Sequence, residues 1–296
     1  MYPDEFDYYE AETVGEAVDL LEDHETAETE LLAGGHSLLP AMKTGLSSPD
    51  VLIDIGGVEE LHGVSVDGDA LSVGATTRYA DLLDADAAHE HAPALTAAVE
   101  QVGDRQVRNR GTVGGNLAHA DPASDLPGAA LASDATLVVR GPDGERTVPA
   151  EDFFFGMYAT DVGPTEILTR VEVPSAADAV GAYAKKPSPS SGYAMVGVAA
   201  LLTVDGGTVA DVRVGANGVV DRGVRLEPVE DALVGERLDG EAIARAAEHA
   251  TDDLDTALLM DDLQASGEFR AQLLGVYAER ALERAAERAS APAAAD

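Results

Sequence analysis

The 296-residue chain contains no cysteine. That removes disulfides, a thiolate nucleophile and any iron–sulfur ligation from what it can do alone. Positive charge is almost as scarce. Three lysines and sixteen arginines stand against 55 Asp and Glu, for a formal net charge of −36. A nucleic-acid partner held on a basic face is excluded by that balance. No apolar run reaches the ~18 residues of a membrane-spanning helix. The opening Met1-Tyr2-Pro3-Asp4-Glu5 lacks the positive charge of a secretory signal, so a cytoplasmic location is the expectation. The seven histidines (His24, His36, His62, His89, His91, His119 and His249) show no metal-ligand spacing such as H-E-x-x-H. His89 and His91 read as part of a helix linker beside Pro93, and no metal site is expected. The absence of a G-x-S-x-G elbow argues against a serine hydrolase.

What is present is a globular composition, 45% apolar with 30 glycines, long enough for two or three subdomains. Self-repulsion at −36 weakens a fold at low ionic strength. At molar salt the Debye length shrinks to ~3 Å and that repulsion is screened. The composition therefore reads as adaptation to a high-salt cytoplasm.

Two glycine pairs carry the chemistry. Leu32-Ala33-Gly34-Gly35-His36-Ser37 follows a short apolar strand and ends in a hydroxyl. Thr112-Val113-Gly114-Gly115-Asn116 follows Arg105, Arg108 and Arg110, and Asp121 and Asp125 come just after it. Glycine admits close approach of backbone to ligand, and consecutive backbone N–H groups form an anion-holding concavity. Neither loop is a G-x-G-x-x-G or a Gly-Lys-Ser/Thr phosphate loop, so a Rossmann domain and a P-loop ATPase are disfavoured. Two unlike loops about eighty residues apart suit a ligand with two phosphates gripped from two sides. Asp121 and Asp125 fit ribose or loop contacts better than a catalytic pair, and no residue reads as a substrate-activating base.

Along the chain, residues 1–57 read as a small α/β unit. Thr13 caps a helix over Val14 to Glu22 with Glu16 completing a capping box, strands cover Thr29–Leu32 and Val51–Ile55, and Leu38-Leu39-Pro40 begins a turn. In residues 58–174, hairpins form around Asp67-Gly68-Asp69 and Gly141 to Gly144, helices cover Tyr79–Ala85 and Pro93–Val102, and a strand covers Thr165–Val173. In residues 175–287, three strand-like stretches (Gly181–Lys185, Val196–Val204, Val209–Val214) are spaced as an antiparallel meander. Helices over Glu241–Ala250 and Phe269–Arg288 follow, the second burying Phe269, Leu273, Val276 and Tyr277. Residues 288–296 read as a flexible tail.

The two glycine motifs resemble the paired FAD-binding motifs of the flavoprotein (medium) subunits of the molybdenum hydroxylases, with the carbon monoxide dehydrogenase medium subunits most similar. The likeness continues through Leu38 to Lys43, Gly74 to Thr77, Asp104 to Asn109, Asp152 to Phe154, Glu166 to Thr169 and Ser191 to Ala194. Val113 in place of a common isoleucine and Gly128 in place of alanine are slight departures. The resemblance implies an α+β fold. A two-part FAD-binding domain of the vanillyl-alcohol-oxidase type (1–57 and 58–174) precedes a C-terminal α+β domain (175–287) with an antiparallel sheet and helices. It implies one non-covalent FAD, bound through main-chain N–H groups and the Ser, Thr and Asn side chains of Leu32–Ser37 and Thr112–Asn116. By the same similarity Asp125 takes a hydrogen bond from the adenosine portion, Leu168 packs on the cofactor, Lys185 lies near the flavin, and Tyr193 covers one face of the isoalloxazine. With no cysteine for a cluster, the implied role is electron transfer. A large molybdopterin subunit and a small [2Fe–2S] subunit would complete a heterotrimer or a dimer of heterotrimers. A stand-alone FAD-dependent oxidoreductase and a non-catalytic flavin scaffold are the alternatives.

Overall fold

The computed structural model describes residues 2–290. Its first layer is a three-stranded parallel sheet of β1 (Asp7–Glu10), β2 (Thr29–Leu32) and β3 (Val51–Asp54), ordered β1-β3-β2. Helix α1 (Val14–Asp23) covers it. Thr13 Oγ1 accepts the Glu16 N–H at 3.1 Å, and Glu16 Oε2 accepts that of Glu12 at 2.8 Å. The return bond of the capping box thus lands one residue upstream of the cap. Val14, Ala17, Val18 and Leu21 are the buried stripe and meet Val51, Ile53 and Ile55 of the sheet. Leu38-Leu39-Pro40 opens a helix, α2 (Leu38–Thr44), rather than a turn. Pro40 is in its first turn, where a missing N–H costs nothing.

The second layer is a five-stranded antiparallel sheet ordered β4-β5-β10-β6-β7, built from β4 (Val64–Asp67), β5 (Ala70–Gly74), β6 (Thr136–Gly141), β7 (Gly144–Pro149) and β10 (Ile167–Pro174). Between β5 and β6 run α3 (Tyr79–Leu83), α4 (Asp86–His91), α5 (Pro93–Val99), α6 (Arg105–Arg108), α7 (Val113–His119) and α8 (Leu126–Ala132). Three differences from the sequence reading lie here. His89 and His91 are in a helix, not a linker; α6 and α8 form from short stretches without a full amphipathic period; and Val113 to Asn116 make the first turn of α7 rather than a loop. Between β7 and β10 lie α9 (Ala150–Phe153) and a short hairpin of β8 (Phe154–Gly156) and β9 (Ala159–Thr160).

The third layer is the antiparallel meander β11 (Val180–Pro187), β12 (Ala194–Asp205), β13 (Thr208–Asn217) and β14 (Val224–Arg225). Helices α10 (Glu227–Leu233), α11 (Gly240–Ala247) and α12 (Gly267–Ser290) complete it, with α12 on β11 and β12. The buried face of α12 is Arg270, Leu274, Tyr277, Ala278, Ala281, Leu282 and Ala285, whereas Phe269 and Val276 are 44% and 41% exposed. The apolar stripe read from sequence is therefore off by about one position. The alanine face is the one that lets the helix lie close on the sheet. Positions 288–290 of the expected tail continue this helix, and 291–296 lie outside the described residues. Every residue of α8 is buried, and the helix packs on β12 and β13, joining the second and third layers. Gln101 Nε2 donates to the Tyr183 carbonyl at 2.9 Å across the same seam, and Arg284 Nη1 of α12 donates to that carbonyl at 2.7 Å from within the third layer. Among the described residues no helix is long and apolar enough to cross a membrane.

Candidate functional site

The two glycine loops, far apart in sequence, touch. A Cβ on Gly34 would run into the Arg110 carbonyl and come within 3.1 Å of the Gly111 Cα, and one on Gly115 would lie 3.6 Å from the Ala33 Cβ. The first loop leaves the end of β2 and enters α2. The second hangs from the β5–α3 connection: Val113 N–H donates to Thr77 O at 3.0 Å, Gly114 N–H to Ala75 O at 2.8 Å, and Tyr79 N–H to Gly111 O at 3.0 Å. Gly114 has its own reason to be glycine, because a Cβ there would strike the Ala75 backbone of that connection. At Gly115 a Cβ would clash only with the Thr112 Oγ1, at 2.5 Å, a side chain that can turn away. The N–H groups of Ala33, Gly34, Gly35, His36 and Ser37, with those of Thr112 and Gly115, donate to no acceptor among the described residues. Two apposed loops with this many spare donors fit a pyrophosphate, which offers acceptors and no donors.

Asp125 and Lys185 are brought together, but onto each other. The Lys185 ammonium donates to Asp125 Oδ2 at 2.9 Å, to Gln101 O at 2.7 Å and to Gly192 O at 3.1 Å, which uses all three of its hydrogens. Asp125 Oδ1 accepts from the Tyr183 hydroxyl at 2.6 Å. The two side chains are 7% and 6% exposed. Burial pushes the Asp125 carboxyl above its ordinary value, against the Lys185 charge and the bonds from Tyr183 and Lys185. In this arrangement the pair ties the start of α8 to β11.

Tyr193 is 42% exposed in the loop between β11 and β12. Burial and the Asp121 carboxylate push its phenol up, and the Ser37 hydroxyl pulls the other way. Ala194 N–H donates to Ala123 O at 3.0 Å, fixing the same loop to the stretch after α7. Ser124 Oγ donates to Asn116 Oδ1 at 2.6 Å, and the buried Tyr79 phenol, pushed up chiefly by its burial, also meets Asn116. Leu168 is 4% exposed within the core of the second layer.

Two neighbours were not anticipated from sequence: Tyr79, and Tyr183 as the partner of Asp125. The His119 ring is 5.0 Å from that of Tyr158. Burial lowers the His119 pKa. Charge was the signal that could have grouped the segments. The three longest stretches without Asp or Glu are 179–204, 31–49 and 105–120. They carry Tyr193, the first glycine loop and the second.

Residues 4–176 match the family described as the FAD binding domain in molybdopterin dehydrogenase, and residues 181–285 match the CO dehydrogenase flavoprotein C-terminal domain. The chain is 36% identical to the carbon monoxide dehydrogenase medium chain of Hydrogenophaga pseudoflava, over 96% of this chain and 98% of that one. It is 34% identical to the glyceraldehyde dehydrogenase medium chain of Sulfolobus acidocaldarius, over 97% and 100%. Among solved structures, carbon monoxide dehydrogenase from H. pseudoflava, in a form lacking the Mo-pyranopterin moiety of its cofactor, superposes with a TM-score of 0.92. That match is at 37% identity and covers 97% of this chain and 99% of that chain.

Proposed function

This chain belongs to the FAD-binding medium subunits of the carbon monoxide dehydrogenase and xanthine dehydrogenase-like molybdenum hydroxylases, and from that premise we propose that it binds one non-covalent FAD between its two glycine loops and relays electrons from a partner [2Fe–2S] subunit to an external acceptor. The observation that carries the reading is the contact of Gly34 with the Arg110 carbonyl, which sets two rows of unpartnered N–H groups against each other. Leu32 to Ser37 and Thr112 to Asn116 would hold the pyrophosphate, and Tyr193 would cover the isoalloxazine from the third acid-free stretch. Leu168 would pack from β10. Asp125 and Lys185, whose polar atoms engage each other and neighbouring protein groups, would shape the site more than touch the cofactor. When bound, FAD supplies the exchange between one-electron and two-electron carriers. What the chain itself does is bind, orient and exclude water.

With no cysteine in the chain, a cluster feeding the flavin must be the partner's. Substrate oxidation belongs to a large molybdopterin subunit, which selects the substrate, and the assembly is a heterotrimer or a pair of them. The subdomain divisions after 57 and 174 are part of the same proposal, supported by the three sheets lying within those spans. A cytoplasmic, high-salt setting is supported by the charge balance. The test is the lone chain. It should bind FAD and be bleached by dithionite, yet oxidise no carbon monoxide, purine or aldehyde until the two partner subunits are added. Turnover of any of these by the FAD-loaded chain alone would replace the reading with a stand-alone oxidoreductase.

A further inference from the structure

The loop that carries Tyr193 has almost no apolar anchorage. Between Pro187 and Ala194 it reads Ser188-Pro189-Ser190-Ser191-Gly192-Tyr193, with Gly192 at φ +77°. Internally it is closed by Ser188 N–H to Tyr193 O at 2.7 Å and Gly192 N–H to Ser188 O at 2.9 Å. Lys185 Nζ holds it at the Gly192 carbonyl and the Ala194 N–H holds its end at the Ala123 carbonyl, and its serines are gripped by one side-chain amide more than seventy residues away. Ser188 Oγ, in a residue only 7% exposed, donates to Gln264 Oε1 at 2.5 Å, and Gln264 Nε2 donates to Ser190 Oγ at 2.7 Å.

Gln264 is itself held in place. Asp262 Oδ1 accepts the N–H groups of Gln264 and Ala265 at 2.8 and 2.9 Å, and Asp262 Oδ2 accepts from Arg270 Nη2 at 2.6 Å. Arg270, 3% exposed on α12, donates through Nη1 to Met195 O at 2.6 Å and to Gly218 O at 2.7 Å. The polar chain therefore leaves one side of Tyr193 at Ser188 and Ser190 and returns on the other side at Met195. The neighbouring Leu263 is fully exposed, so apolar burial does not fix this segment.

We propose that Gln264, fixed by Asp262 and Arg270, is a positioning residue that clamps the 188–193 loop so that Tyr193 stays over the cofactor cleft. The inference rests on the reading of Tyr193 as the flavin-covering residue. A long amide suits the task because one planar group both accepts and donates, so it fixes two serines of one loop in a single orientation. Gln264 touches no cofactor in this scheme and acts only through Tyr193.

The test uses the full chain in molar KCl, with two readouts. A phenol stacked on an isoalloxazine quenches its fluorescence by electron donation to the excited ring. The Gln264→Ala chain should keep its FAD but gain emission to the level of Tyr193→Ala, and the double variant should match Tyr193→Ala alone. Hydrogen exchange of the FAD-free chain should quicken by roughly tenfold at 188–195 in Gln264→Ala, as expected when two hydrogen bonds are lost, and stay unchanged in β2 and α7. Should Gln264→Ala fail to fold, Ser190→Ala removes one arm of the clamp and should show the same changes in smaller degree. Wild-type emission together with wild-type exchange at 188–195 overturns the proposal, as does a double variant brighter than Tyr193→Ala. The exchange arm needs no cofactor. A wild-type chain that binds no FAD would therefore sink the cofactor reading, while the clamp would stand or fall on exchange.

Discussion

Replacing Lys185 by methionine separates two roles that the same residue could have. If the lysine served the flavin directly, Lys185→Met would lower FAD affinity and leave the FAD-free chain about as stable as before. The structure gives the opposite expectation. Lys185 neutralises Asp125 at 2.9 Å with both side chains less than a tenth exposed, and it also bonds the carbonyls of Gln101 and Gly192. Breaking a buried ion pair by removing one partner costs about 3–5 kcal/mol, a large share of the ~5–15 kcal/mol that holds an ordinary domain together. The FAD-free Lys185→Met chain should lose that much in denaturant unfolding at molar KCl. The uncharged double variant Asp125→Asn/Lys185→Met should recover most of it, because swapping a buried pair for neutral groups of similar size is often close to neutral. The pH dependence carries a sign. Without its lysine, Asp125 is left with burial as the main influence, which holds its folded pKa above the ordinary carboxylate value. The folded state then takes up the proton before the unfolded state does. Stability of Lys185→Met relative to the double variant should therefore rise as pH falls through the raised folded pKa, and level off below the unfolded one. A loss under about 1 kcal/mol in the FAD-free chain, or a double variant no better than the single, would refute a structural ion pair.

Wild-type protein should carry one FAD that acid precipitation releases into a yellow supernatant over a colourless pellet; a yellow pellet would mean covalent attachment, with His36 or His119 as the candidates. Gly115→Asp should fold yet lose FAD, since its Cβ clashes only with Thr112 Oγ1, a side-chain atom that can turn away, while its charge would face the pyrophosphate; normal FAD occupancy would place the phosphates elsewhere. Gly114→Asp should instead fail to accumulate as folded protein, because it strikes the Ala75 backbone, and circular dichroism separates the two cases. Ser37→Ala should weaken FAD binding by only about 0.5–1.5 kcal/mol, measured by fluorescence titration. Melting temperature should climb between 0.01 M and 1 M salt as the Debye length falls from ~30 to ~3 Å; a flat profile would remove the high-salt reading.

Local signals accounted for the elements that were read correctly. The Thr13 cap and the 67–69 and 141–144 hairpins depend on contacts within a few residues, and the strands read over 181–214 pair with the next strand along the chain; the structure has all of them. Strand β1 was missed because Asp7-Tyr8-Tyr9-Glu10 has no apolar alternation, and only its parallel pairing with β3, more than forty residues on, makes it a strand. The short helices α4, α6 and α8 were missed because they contain too few turns to show a period; burial of every residue holds α8, and the Asp104 side chain, accepting the N–H groups of Gln106 and Val107, holds α6. At the site, each glycine pair could be seen alone. The reason they act together, Gly34 against Arg110, is a contact across 76 positions that no spacing rule encodes. The same distance problem hid the Asp125–Lys185 pair, sixty positions apart, and left Lys185 looking free for a ligand.

Charge is where sequence and site meet most directly. A chain carrying −36 has to hold a ligand whose pyrophosphate is itself an anion, and it has not done so by gathering many cations. Of nineteen lysines and arginines, Lys185 is spent on Asp125, and Arg108 on the carbonyls of Glu100, Val102 and Gly103. The chain instead keeps carboxylates out of 31–49, 105–120 and 179–204. At the ~3 Å screening length of molar salt, charges more than one contact away contribute little, so on the proposed reading clearing acids from these stretches would be enough for backbone N–H groups to hold the pyrophosphate. At low salt the same exclusion is too local, because the remaining acids act over ~30 Å. On the high-salt reading, FAD and fold should therefore be lost together on desalting, from the long reach of the same acidic surface; FAD retained by a chain that has lost its fold stability at low salt would separate the two.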